Sequence, residues 1–205
     1  MTPLSNGYFL RQDGPRGDRV ATAREILREQ FEGSNTNICD VLKGIGDPEF
    51  FWEPVIGCWT VHRRDEKRAA SADGSGEWVI DYELPEPKPA PLTTIAWRTV
   101  HVAAVNYLYW DYAFGSATAS FDLEMPGDAR AACSWLEASQ QPLLEVISTI
   151  ETDERLDEEV LTNWGDRWPT NRIFRCLINE QVHHGAEISL LRDLYRNRQA
   201  LTALR

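Results

Sequence analysis

The chain has 205 residues, of which 42% are hydrophobic and eight are tryptophan, and it carries a formal net charge of −11 at pH 7. That length supports a single domain over 1–205 with its own core. The acidic balance excludes nucleic acid and anionic membrane as electrostatic partners.

The opening MTPLSNGYFLRQDG has no apolar run of signal type, and no stretch approaches transmembrane length, so a cytoplasmic protein is expected. Residues 1–18 are polar and read as a surface arm, with Asp18 placed to cap the next segment. Arg19–Leu42 carries Val20, Ile26, Leu27, Phe31, Ile38 and Leu42 and predicts the first helix, less regular near Gly33 and stopped by Gly44 and Gly46. Asp47–Arg64 is broken by Pro48, Pro54 and Gly57 into a loop with a short strand at Cys58–Arg63. His62, followed by two arginines, reads as an exposed or packing residue. Asp65–Gly76 is charged and rich in small residues, which predicts a mobile loop. Trp78–Leu84 alternates apolar and polar positions and predicts a strand that pairs with Cys58–Arg63 as a hairpin. PEPKPAP then forms a stiff linker.

Thr93–Gly115 is the second helix, capped by Thr93 or Thr94 and stopped by Gly115. Asp128–Ile150 is the third, with Asp128 as N-cap and Pro142 predicting a kink. Glu151–Trp168 is an acidic connection, Pro169 suits a first helical turn, and Arg172–Tyr195 is the fourth helix. Gln199–Arg205 is a fraying tail. Cys39, Cys133 and Cys176 fall in helical patterns and read as small buried residues, and none of the four cysteines has C-x-x-C spacing. Trp59, Trp78 and Phe121 are expected at the surface, where they would suit packing on a second copy. Four long amphipathic segments predict an all-α fold: an antiparallel four-helix bundle with a small β-hairpin/loop insertion at about 58–92.

The chemistry concentrates on the fourth helix. Ile173, Leu177, Ile188, Leu191 and Tyr195 share one face at about 100° per residue, and Glu180 and His184 sit in the middle of it. Four residues apart, their side chains lie side by side, about 5–6 Å between Cβ atoms. Both need partners when buried. A divalent metal would satisfy both; so would a hydrogen bond between them, or an arginine from another helix. His183 lies off that face. On the second helix His101 projects among Thr94, Trp97, Val105, Leu108 and Tyr112, within about 40° on the helical wheel. Bundle cores are where helices project metal ligands inward, so His101, Glu180 and His184 are the expected set. Two histidines and a glutamate leave tetrahedral Zn²⁺ one open position. Asn106, Tyr109, Tyr112, His183 and Arg192 are the polar groups expected near such a cavity.

The second-helix histidine in TIAWRTVHVAAVNY, the run NEQVHHGAEISLLRDLY and the segment FFWEPVIGCWTV together resemble the DinB-like superfamily, also called the YfiT-like metal-dependent hydrolases. The resemblance spans roughly residues 20–196. The fourth-helix signature of that family, N-H-x-x-x-H-x-G-x-I, would set its first histidine on Glu180 and its second on His184. In carrying glutamate there, the chain looks similar in ligand pattern to the N-terminal domain of mycothiol-dependent maleylpyruvate isomerase, whose zinc set would fall on His101, Glu180 and His184. The additional C-terminal domain of that isomerase has no counterpart in these 205 residues. The resemblance implies a metal-dependent protein binding zinc, or nickel in its place, with a small-molecule substrate and a low-molecular-weight thiol. The activities it implies are thiol S-transfer, isomerisation or hydrolysis; a metal-binding stress-response protein without turnover is the alternative. A homodimer is the family-type expectation.

Overall fold

A computed structural model of the protein describes residues 20–68 and 71–202. Its long helices begin where short polar side chains cap them. Helix α1 (Ala23–Leu42) starts after Thr22, which forms a capping box with Glu25. The Asp153 carboxylate, 130 residues away, accepts from the Ala23 N–H at 3.1 Å and reinforces that start. Asp18 and the 1–18 arm lie outside the described residues. Gly33 leaves α1 uninterrupted.

A single turn, α2 (Asp47–Phe50), replaces part of the predicted loop. Helix α3 (Ile95–Phe114) takes Thr94 as cap and ends at Gly115. Helix α4 (Ala129–Ser148) takes Asp128 and runs through Pro142 without a break. Helix α5 (Thr170–Arg196) follows Pro169, and a short α6 (Arg198–Thr202) occupies part of the predicted tail. Among the described residues, no helix is long and apolar enough to cross a membrane.

Around the bundle α1 neighbours α5, α5 neighbours α3, α3 neighbours α4, and α4 neighbours α1. The helices are not all antiparallel to their neighbours. Phe31 meets Phe174, Ser34 bonds Gln181, and Ile38 packs beside Gly185, so α1 and α5 run the same way. One core cluster holds the early parts of α3 and α4 (Ile95–Ala103 and Ala129–Leu136) with the ends of α1 and α5. The other holds Val105, Leu143 and Ile147 with Phe31, Ile173 and Leu177. Helices α3 and α4 are therefore parallel to each other and antiparallel to the α1–α5 pair. The 115–128 connection makes this possible. At about 3.3 Å per extended residue it can span the length of a 20-residue helix, about 30 Å, and return the chain to the starting end.

A polar layer separates the two clusters: Ser34, Asn106, Ser139, Gln140 and Gln181 are all buried. Ser34 bonds Gln181 and Asn106 bonds Ser139, each at 3.1 Å. Shifted helix registers would leave these groups unpaired, so the layer favours one packing.

The insertion is a three-stranded antiparallel sheet rather than a hairpin. Strands β1 (Val61–Arg63) and β2 (Ala72–Asp73) flank the central β3 (Trp78–Asp81). β2 comes from the segment predicted as a mobile loop. The sheet is fastened to α3: the Trp97 indole donates to the Asp81 carbonyl at 2.7 Å, and Thr60 bonds the Thr94 hydroxyl at 2.8 Å. The aromatics expected at the surface are used inside the chain. Trp59 is in the core, Trp78 stacks on Phe51, and Phe121 stacks on Tyr82. Cys58 is buried, whereas Cys39, Cys133 and Cys176 are only half-buried.

The acidic 151–168 connection is also structured. It forms a 3₁₀ turn (Asp153–Asp157) and a hairpin of β4 (Glu159–Leu161) with β5 (Arg167–Pro169).

Candidate metal centre

Helix α3 is buried around most of its circumference, from Ile95 through Leu108, which marks it as the central helix. His101 projects from it toward α5, where Glu180 and His184 stand one turn apart. The three side chains converge. Nε2 of His101 lies 3.4 Å from Oε2 of Glu180, and Nε2 of His184 lies 3.3 Å from the same oxygen. One potential ligand atom from each residue falls within 4.8 Å of the other two, and no other such group of His, Cys, Asp or Glu occurs among the described residues.

The donor chemistry fits a divalent cation. Tetrahedral ligation at about 2.0–2.2 Å puts neighbouring donors roughly 3.3–3.5 Å apart, which the two imidazole–carboxylate separations match. The protonation states fit as well. Hydrogen bonds from His101, then from His184, hold the Glu180 carboxyl well below the usual carboxylate range. Burial pushes the His184 imidazole below its ordinary 6.5, favouring the neutral ring that can ligate.

His184 is oriented from behind. Its Nδ1 lies 2.8 Å from Oε2 of Glu187. In the metal-free site the proton that bonds Glu180 sits on Nε2; moved to Nδ1, where Glu187 accepts it, it would leave Nε2 free for a cation. Arg98 ion-pairs with Glu187 and also approaches Nδ1 at 3.2 Å. A guanidinium only donates, so its partner in this cluster is the carboxylate. Burial lowers the Arg98 pKa to about 10, still well above neutrality. His101 is held differently. Its ring stacks on Trp97 at 4.6 Å and 11°, and its buried Nδ1 has no hydrogen-bond partner among the described residues.

The three residues open onto a cavity of about 340 Å³. Trp59, Tyr82 and Trp97 form its aromatic wall, and the exposed Glu83, Leu84 and Glu86 form its rim. A larger cavity, about 810 Å³, lies between α1, α5 and the 3₁₀ turn. It is lined by Ile26, Leu27, Ile178 and Val182 and gathers no set of metal-binding donors, so the smaller cavity is the site.

The family model of the DinB superfamily matches residues 30–188. The chain belongs to the DinB superfamily. Its fold is similar to the crystal structure of a DinB-like protein from Bacillus cereus ATCC 10987, with a TM-score of 0.54 and 15% identity, over 86% of this chain and 91% of that one. At that identity the likeness bears on the fold alone. No curated protein matches the sequence.

Of the other polar residues expected near the site of this DinB-superfamily chain, only His183 lines the cavity, from an exposed position where it pairs with Glu187 at 3.1 Å. Asn106 bonds Ser139 within the core, Tyr109 packs near Trp168, and Arg192 pairs with Glu49 at 2.8 Å. Tyr112 is half-buried and does not line the cavity. His62 is buried away from the triad, its Nε2 3.1 Å from Asp81. Glu187 and Arg98 escaped the sequence reading, although helical spacing carried the signal: Glu187 follows His184 by three, and Arg98 precedes His101 by three.

Proposed function

We propose that this DinB-superfamily protein is a metal-dependent enzyme in which His101, Glu180 and His184 hold one divalent cation, zinc first and nickel as the alternative. The observation that carries the reading is the convergence of three potential ligand atoms within 4.8 Å at the edge of a cavity. A bound cation supplies Lewis-acid chemistry, lowering the pKa of a thiol or water that reaches it. The chain's own residues do the rest. Glu180 provides an ionised carboxylate, and His184 a neutral ring that Glu187 allows to carry its proton on Nδ1 when Nε2 ligates. Trp97 fixes the plane of His101, and the aromatic wall shields the site from water on that side.

The activity that fits best is transfer or isomerisation assisted by a low-molecular-weight thiol of mycothiol type. The ligand set supports it, since glutamate at 180 matches the pattern of the maleylpyruvate isomerase domain. Hydrolysis is the second reading, because the same cavity admits water. A closed structural site without turnover is disfavoured: among the described residues, no fourth His, Cys, Asp or Glu joins the group.

Elemental analysis and zinc calorimetry test the site. One metal per chain is expected, with tight binding lost in His184→Ala while the helical circular dichroism is retained. A His184→Ala protein that binds zinc as tightly as wild type overturns the proposal. Adding N-acetylcysteamine to the cobalt-loaded protein separates the activities: a new sulfur-to-cobalt charge-transfer band supports the thiol reading, and its absence favours hydrolysis.

A further inference from the structure

The cavity beside the triad has an uneven chemistry. Among the described residues three carboxylates line it, Glu83, Glu86 and Glu180, and no lysine or arginine does. Glu180 is committed to the two histidines. Glu83 and Glu86 are exposed and have no ion-pair partner among the described residues. The charge of Glu86 reaches the wall: burial first, and then the charges of Asp73 and Glu86, push the Tyr82 hydroxyl up.

Behind the carboxylates the wall is aromatic. Trp59 and Tyr82 meet at 45° with centroids 6.2 Å apart, and Trp59 meets Trp97 at 38° and 6.1 Å. Trp97 is covered on one face by His101, and Tyr82 is stacked on Phe121. The corner between Trp59 and Tyr82 is thus a fixed aromatic angle with two unpaired carboxylates at its mouth. Aromatic faces attract cations through the ring quadrupole, most strongly where water is excluded, and carboxylates add to that attraction. An anion would meet like charge, and among the described residues the basic side chains lining the cavity are histidines alone. The basic residues of the insertion, Arg64, Lys67 and Arg68, line a different cavity. A second metal is not what these acids hold, because the triad is the sole metal-type group among the described residues.

We infer that this cavity binds a small organic cation, its ammonium group held between the Trp59–Tyr82 corner and the carboxylates Glu83 and Glu86. At about 340 Å³ the cavity sits at the small end of ligand pockets, which run roughly 300–1,000 Å³. The inference rests on the proposed function only for the direction of the ligand: cation outward, reacting group toward His101, Glu180 and His184.

The test uses three probes on one aromatic frame: benzyltrimethylammonium, benzyl alcohol and phenylacetate. Binding is measured by calorimetry on chelator-treated, dialysed full-length protein and again after zinc loading. The quaternary cation cannot ligate metal, so its binding reports the aromatic–carboxylate corner alone. Benzyltrimethylammonium should bind about tenfold more tightly than phenylacetate in the metal-free protein, a difference of the size that cation–π and charge effects produce. The double variant Glu83→Gln/Glu86→Gln should weaken the cation by about threefold, in line with exposed charges, and leave benzyl alcohol unchanged. Equal binding of cation and anion, an unaltered preference in the double variant, or no binding of any probe overturns the inference. A protein that prefers the cation but takes up no zinc refutes the metal reading and leaves this one standing. Zinc uptake without a cation preference does the reverse.

Discussion

Glu187→Ala is the perturbation that separates an organised metal centre from a chance meeting of three side chains. Glu187 touches none of the expected open side of the site, yet it collects three groups. Its carboxylate lies 2.8 Å from His184 Nδ1, pairs with His183 Nε2 at 3.1 Å, and ion-pairs with Arg98, whose side chain is only 11% exposed. Removing it should act in two ways. His184 loses the acceptor that fixes its proton on Nδ1, and changes of this kind typically cost about 10–100-fold in metal affinity, roughly 1.4–2.7 kcal/mol. Arg98 is left as a largely buried cation without its carboxylate, which should lower the stability of the metal-free protein by about 1–3 kcal/mol. Glu187→Gln gives the internal control. Its amide oxygen still accepts from Nδ1, so zinc affinity should fall by less than in the alanine variant, while the ion pair to Arg98 is lost in both. Competition with a chromophoric chelator reads the affinity, and urea unfolding of the metal-free protein reads the stability. If folded Glu187→Ala binds zinc within about twofold of wild type, orientation through Glu187 is not what prepares His184.

Asp111 gives a pH prediction away from the site. Burial alone would raise its carboxyl, but hydrogen bonds from Ala119, the Ser116 hydroxyl and the Thr118 and Ser116 N–H groups outweigh it and lower the pKa from 3.8. A depressed carboxylate contributes stability above its unfolded value and loses it as pH falls through the folded one. Asp111→Asn should therefore be less stable than wild type by about 1–3 kcal/mol near neutrality, a gap that narrows below about pH 4 in urea unfolding; a constant gap refutes the account. Gly127→Ala should also destabilise, by about 1–3 kcal/mol. A Cβ at Gly127 would lie 2.2 Å from the indole nitrogen of Trp78, and Trp78 is stacked on Phe51, so the ring has little room to move. A variant melting at the wild-type temperature would show that it moves freely.

The extent to which the sequence foretells this protein follows from the range of each interaction. Helices α3 and α4 are legible to within a residue or two because their caps, Thr94 and Asp128, are local and bond N–H groups three residues on. The start of α1 is not, because Thr22 is one of several polar residues there and Asp153 assists it from across the chain. Strand β2 is two residues long and exists only through its pairing with β3, and the 159–169 hairpin carries no clean alternation. Parallel packing of α3 with α4 was invisible because nothing local tells a long connection whether to turn back or run the length of the bundle.

The candidate site divides along the same line. Glu180 and His184 are readable as a pair because helical geometry alone puts them side by side, and His101 because an imidazole on an apolar face needs a reason to be there. That the three meet is a tertiary fact, as is the cavity, whose wall comes from three separate elements: Trp59 before β1, Tyr82 after β3, and Trp97 in α3. The insertion therefore does more than decorate the bundle. Bonds from Trp97 to Asp81 and from Thr60 to Thr94 fix the sheet against α3, and the sheet in turn brings Trp59 and Tyr82 over the triad. The helices of this DinB-superfamily fold bring the three candidate ligands together, and the inserted sheet determines what can approach them.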